Sequence, residues 1–261
     1  MEGTKYPVVL VHGIMIKDIY FVRAFGRIDR HLKEQGYSVF VSNHDGLGSI
    51  ENNARQIKDF VLEVLNKTNA DKVNIIAHSK GGLDVRYMIS KLEMQDKVAS
   101  LTTISTPHGG SKVATKILTL PRFMKGFLAF WLNFYYKIFK DKNPDSLLVA
   151  QQLSCEYLEK FNIDTPNSTN VYYQSYYTTL NKSRDDFIMG IPLRFSKTWE
   201  GDDSDGVVAR ASAIWGECKG KAVDESLSHS QIIDFMTTKS KRQKVLEFYT
   251  NLCKELQLMG F

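Results

Sequence analysis

Cysteine is nearly absent from this chain. Cys155, Cys218 and Cys253 lie far apart and form neither a C-x-x-C pair nor an even set, so a disulfide framework is excluded and the three read as free thiols. No Pro/Gly/Ser-rich linker, low-complexity tract or repeat divides the 261 residues. Charge of one sign is lacking too: 34 Lys and Arg stand against 29 Asp and Glu, a net +5. Without a basic-aromatic recognition motif, that excess gives no reason to expect a nucleic-acid partner; it would suit an anionic lipid surface at least as well. Met1-Glu2-Gly3-Thr4-Lys5 leads almost directly into an apolar run, with no basic segment and apolar stretch before it. A cytoplasmic location is the expectation, and the mature form of a secreted protein would look the same.

What is present is hydrophobic content of 43%, enough for one sizeable core, so residues 1–261 are expected to form a single domain carrying one insertion. Tyr6 to Val11 is a continuous apolar, β-branched run, as in a parallel strand buried on both faces. Ile19 to Gln35 carries Phe21, Phe25, Ile28 and Leu32 at helical spacing and ends at Gly36. A strand from Tyr37 to Val41, a polar turn through Gly48 and a helix from Ser49 to about Asn66 follow, with Ala54, Ile57, Val61 and Val64/Leu65 inward. Further strands are expected over Val73 to Ala77, Val98 to Ser105, Val171 to Thr178 and Leu193 to Trp199. A last helix is expected over Ile232 to about Leu256. The alternation predicts an α/β fold with a central, mostly parallel sheet and helices on both faces.

The stretch V-N-I-I-A-H-S-K-G-G, Val73 to Gly82, reads as strand, sharp turn and helix with Ser79 at the apex. Small residues at Ala77, Gly81 and Gly82 suit the crowding around a strained turn. This motif resembles the elbow of the α/β-hydrolases, and among them the bacterial triacylglycerol lipases with A-H-S-x-G-G or G-H-S-x-G-G. The resemblance implies the α/β-hydrolase fold and Ser79 as nucleophile. It further implies an oxyanion hole from the backbone N–H groups of Ile14, after the His12-Gly13 turn, and Lys80. Both are main-chain donors, so alanine at either position is expected to leave them in place.

In this family the order along the chain is Ser, acid, His. The loop Gly201-Asp202-Asp203-Ser204-Asp205-Gly206-Val207-Val208 offers three aspartates; the resemblance favours Asp205, because the family's acid lies in an Asp-Gly step followed by two apolar residues. His229 is the one histidine of six that follows the acid, and it is the implied base. His108, in S-T-P-H-G-G-S, precedes the acid and is set aside on chain order. His31 reads as structural, and a turn accounts for His44-Asp45. Asp202 and Asp203 could hold a cation, but acidic loops are ordinarily just solvated. Relatives that bind calcium place an Asp where this chain has Gln231, so calcium is not carried over; no metal and no cofactor are expected.

Residues 112–165 interrupt the alternation. Lys112 to about Asn143 packs Phe123, Phe127, Phe130, Trp131, Phe134 and other large apolar residues among Lys116, Arg122, Lys125, Lys137 and Lys140. It is too short and too charged to read as a transmembrane helix. In the family this is where a helical lid or cap is inserted, and an aromatic helix flanked by cations would partition into an anionic interface. A helix packed statically on the core is the plain alternative, and a membrane anchor the third. Asp145 to Asn162 reads as one ordinary amphipathic helix. The expected activity is hydrolysis of carboxylic esters of lipids or small esters through Ser79, Asp205 and His229 and an acyl-enzyme, with lipid-interface contact through the lid. An acyltransferase or thioesterase on the same triad, and a silent lipid-binding module, are the alternatives. Oligomeric state leaves no trace in the sequence.

Overall fold

The computed structural model describes residues 3–14, 23–181, 199 and 203–261. Among these, six strands run parallel in one sheet: β1 (Val8–Val11), β2 (Val39–Val41), β3 (Val73–His78), β4 (Val98–Ile104), β5 (Tyr172–Tyr177) and β6 (Glu217–Lys221). Their spatial order is β2-β1-β3-β4-β5-β6. The helices are α1 (Ile28–Glu34), α2 (Ile50–Thr68), α3 (Lys80–Lys91), α4 (Lys112–Leu118), α5 (Arg122–Ile138), α6 (Ser146–Gln152), α7 (Cys155–Asp164), α8 (Arg210–Ala213) and α9 (Lys239–Leu258).

Alternation along the strands assigns each side chain to one of two cores. Val8 and Leu10 join Ile28 and Leu32 of α1 and Val245, Tyr249 and Leu252 of α9. Val9 and Val11 join Ile57 and Val61 of α2 and Val85 and Ile89 of α3. A strand covered on both faces is apolar unless its polar side chains find partners inside: β1 is an unbroken apolar run, whereas the buried Asn74 of β3 accepts from the Ser100 hydroxyl of β4 at 2.7 Å and Thr102 of β4 accepts from Gln174 of β5 at 2.9 Å. From β1 the chain moves outward to β2, then crosses back to β3 on the other side of β1. The carboxyl ends of β1 and β3 therefore flank the point where strand order reverses, the place where α/β sheets open a crevice for ligands. His12-Gly13 and Ser79 are the residues delivered there.

Several boundaries differ from expectation for local reasons. Within the described residues, the helix expected from Ile19 is only α1, because Gly26 sits at φ +50; Ile19 and Phe21 lie outside the described residues. The amphipathic stretch 145–162 is two helices, since Ser154 leaves the helical path and accepts from the Tyr157 amide to start α7. The last helix begins at Lys239 rather than Ile232: Asp234 and Met236 adopt positive φ, and Thr238 caps α9. β6 was not expected at all, because its Glu-Cys-Lys-Gly-Lys sequence is that of a half-exposed edge strand. The strand expected over Leu193 to Trp199 lies outside the described residues, apart from Trp199.

Residues 112–165 pack on the sheet-bearing part through a third apolar cluster. Ala114, Tyr136, Val149, Leu153, Leu158 and Phe161 meet Leu47, Ile50 and Leu83. Two carboxylates add a reciprocal clasp at the end of α5. Asp45 accepts from the amides of Lys142 (2.9 Å) and Asn143 (3.2 Å), while Asp141 accepts from Gly46 (3.1 Å) and Leu47 (2.8 Å). Asp45 thus has a structural task beyond the turn that first accounted for it.

Candidate active site

Ser79 stands between β3 and α3 with φ +55 and ψ −135, a conformation strained for any residue with a side chain. Its neighbours make room for that turn. A Cβ on Gly13 would lie 2.6 Å from the Ser79 Cβ, and one on Gly81 would lie 2.3 Å from the His12 carbonyl oxygen. A Cβ on Gly82 would meet the Thr106 hydroxyl at 2.3 Å. The glycines are therefore required by the approach of the β1 turn and the segment after β4, more than by crowding within the elbow itself.

The ring of His229 lies against Ser79, with Nε2 2.8 Å from the Ser79 Oγ and Nδ1 2.7 Å from the Asp205 Oδ2. The other carboxylate oxygen of Asp205 accepts from the amides of Val207 (3.0 Å) and Val208 (2.8 Å). That pair of amides aims Oδ2 at the imidazole. With Asp205 as a carboxylate, Nδ1 carries the hydrogen and Nε2 is left to accept from the serine hydroxyl. All three side chains are largely buried. Of the competing acids, Asp203 pairs with Arg210 at 3.2 Å, and Asp202 lies outside the described residues.

His78, the histidine of the elbow motif and assigned no role above, tilts its ring on His229 at 4.5 Å between centroids. Burial, then the charge of His229, holds its pKa well below the ordinary histidine value. It is a neutral wall of the site. His108 faces elsewhere: Nε2 contacts the Thr103 hydroxyl (3.1 Å), Nδ1 lies 3.2 Å from Arg86 Nη1, and the ring stacks on Trp215. Burial, then Arg86, holds its pKa well below the usual range. His31 meets the Thr250 hydroxyl at 3.0 Å, joining α1 to α9.

The two expected oxyanion donors lie on adjoining turns: the Lys80 nitrogen is 3.0 Å from where a Gly13 Cβ would stand, one residue before Ile14. Alanine at position 80 would keep the main-chain donor, but the lysine side chain has partners of its own. Lys80 is fully buried, and its Nζ donates to both carboxylate oxygens of Asp84 at 2.7 and 3.0 Å. Asn53 Nδ2 also donates to Asp84 (3.0 Å). Burial pushes the Asp84 carboxyl up to about 6, and Lys80 and Asn53 pull against that rise. The i,i+4 spacing of Lys80 and Asp84 was visible in the sequence; that both would be shut away from water was not.

Gln231 accepts from the Ser228 amide (3.2 Å) and from Lys241 Nζ (3.1 Å), tying the His229 loop to α9. Among the described residues no group of three or more His, Cys, Asp or Glu is placed to hold a metal ion. Phe123, Phe127, Phe130, Trp131 and Phe134, the lid candidates, are all on one helix. They lie along α5, each between 51% and 77% exposed, with edge and stacked contacts among themselves.

Comparison with known proteins places this geometry. Residues 6–204 match the family profile described as the alpha/beta hydrolase fold. The triacylglycerol lipase 2 of Saccharomyces cerevisiae is 30% identical over 261 aligned positions, covering 90% of this chain and 73% of that protein. The triacylglycerol lipase of Pseudarthrobacter phenanthrenivorans is 42% identical over 117 positions, covering 43% of this chain and 36% of its own. The crystal structure of Staphylococcus hyicus lipase shares the fold with a TM-score of 0.69 at 18% identity, covering 98% of this chain and 96% of that one. A parallel sheet that delivers a strained serine to its switch point, together with a family match over most of the chain, establishes that this protein belongs to the α/β-hydrolase family.

Proposed function

We propose that this carboxylic ester hydrolase cleaves esters of lipids through Ser79, His229 and Asp205. The observation that carries the reading is the continuous contact from the Ser79 hydroxyl through the His229 imidazole to the Asp205 carboxylate. Ser79 attacks the ester carbonyl while His229 takes its proton; Asp205 orients the ring and stabilises its charged form. The backbone amides of Ile14 and Lys80 hold the developing oxyanion, each such donor contributing roughly 3 kcal/mol. His229 then protonates the leaving alcohol, an acyl-Ser79 ester remains, and water activated by His229 releases the acid. His229 is the histidine whose ring meets the Ser79 hydroxyl, while burial holds neighbouring His78 neutral.

Residues 1–261 form one hydrolase domain in this reading, and 112–165 are its cap, with α5 as the part that meets lipid. The names of the yeast and bacterial relatives favour triacylglycerols as substrate. The test combines p-nitrophenyl esters of rising acyl length with emulsified triglyceride, for the wild type and Ser79→Ala. Turnover that vanishes in Ser79→Ala, with a fluorophosphonate adduct mapped to Ser79 by mass spectrometry, supports the reading. Full turnover in Ser79→Ala overturns it, and faster transfer to an added alcohol than to water replaces hydrolysis by acyl transfer.

A further inference from the structure

We infer that α5 and its flanks form a docking surface for an anionic phospholipid bilayer. The inference rests on reading the insertion as the lipid-facing part of the molecule, and makes no use of the hydrolytic chemistry. Phe123, Phe127, Phe130, Trp131, Phe134 and Ile138 are all more than half exposed. At 3.6 residues per turn they share one stripe about 100° wide. The opposite side of the 17-residue helix turns Ala129 and Tyr136 into the body. The stripe is thus an apolar face displayed to the surroundings, and a helix of this length lies in an interface; among the described residues no helix is long and apolar enough to cross a membrane.

Charge identifies the occupant. From Lys112 to Lys140 the chain carries six cations, Lys112, Lys116, Arg122, Lys125, Lys137 and Lys140, and no Asp or Glu. All but Lys125 are exposed. The next acid, Asp141, is buried with its carboxylate turned to the Gly46 and Leu47 amides, and Asp145 caps α6. A two-fold pairing of this face with a second copy would set cations against cations. A bilayer with anionic headgroups satisfies both features at once: the rings enter the acyl boundary while the amines reach the phosphates. The clasp of Asp45 and Asp141 ties the end of α5 to the loop before α2, so the surface is presented by the body and needs no prior opening.

The test is co-sedimentation of the Ser79→Ala protein, which cannot consume the lipid, with vesicles of phosphatidylcholine alone and of phosphatidylcholine with phosphatidylglycerol. Binding is expected on the mixed vesicles, falling as salt rises. In Lys116→Gln/Arg122→Gln/Lys137→Gln it should weaken by roughly fivefold for each cation removed; in Phe123→Ser/Phe127→Ser it should fall by more than about tenfold. All these positions are exposed, and unchanged far-UV circular dichroism melts show that the variants fold. Turnover of a short soluble ester by the charge variant made in the active protein separates the two readings: hydrolysis persists when docking is lost. Equal binding to both vesicle types overturns the inference. So does binding unaffected by the charge variant, or a concentration-dependent dimer that the Phe variant abolishes.

Discussion

Replacing Lys80 with methionine removes a charge from beside the proposed oxyanion donor without removing the donor. The wild-type Nζ sits 2.7 and 3.0 Å from the two Asp84 oxygens, and both side chains are fully buried. Breaking such a pair from one side strands the other charge, which costs about 3–5 kcal/mol. What remains beside Asp84 is the Asn53 amide and, at 3.9 Å, the buried His44 Nε2, less than an ammonium in contact with both oxygens. With Lys80 gone, the Asp84 carboxyl rises beyond its present value of about 6 and takes up a proton near neutral pH. A carboxyl whose folded pKa lies above its unfolded value favours the folded state in acid. That contribution is full below about pH 4 and is lost as pH rises through the folded pKa. The deficit of Lys80→Met should therefore be largest near pH 8 and shrink toward pH 5, read by urea unfolding across that range. Lys80→Met/Asp84→Asn, which leaves no stranded charge, should recover at least about 2 kcal/mol of the loss. Because Lys80 opens α3, kcat should fall by roughly tenfold with KM nearly unchanged as the first turn shifts. A deficit below about 1 kcal/mol at pH 8, flat with pH, would refute the argument.

Gly81→Ala drives a methyl to 2.3 Å from the His12 carbonyl and should destabilise by about 1–3 kcal/mol, with kcat reduced because the β1 turn moves; thermal melts and steady-state kinetics check both. Asp205→Asn should leave the fold intact, since Oδ1 still accepts from Val207 and Val208, while kcat drops by about 10⁴ through loss of the imidazole's tautomer and charge partner; a stopped assay with high enzyme concentration measures it. Asp141→Ala strips the Gly46 and Leu47 amides of their acceptor, costing about 1–3 kcal/mol and raising hydrogen exchange at those two amides first.

The sequence by itself determined the elements whose side chains answer to one local demand. β1 had to be apolar at every position to be covered on both faces, β3 and β4 are apolar enough to read as strands despite the buried Asn74, Ser100 and Thr102, and the elbow's small residues and serine announced strand, turn and helix. The order Ser79, Asp205, His229 came from the resemblance to the α/β-hydrolases, since the residues alone left three aspartates open in the 201–208 loop. What tertiary structure alone decided depends on distant parts of the chain. His229 reaches Ser79 across 150 positions. Lys80 entered only through its main-chain amide; that its side chain is shut away on Asp84, with Asn53 of α2 donating to the same carboxylate, depends on α2 packing beside α3. Asp45 read as a turn residue until the end of α5 came to lie beside it, and β6 had no apolar signature because an edge strand needs none. Local propensity and pattern act within a few residues; burial, ion pairing and close approach are properties of two surfaces, and neither surface exists until the chain has folded.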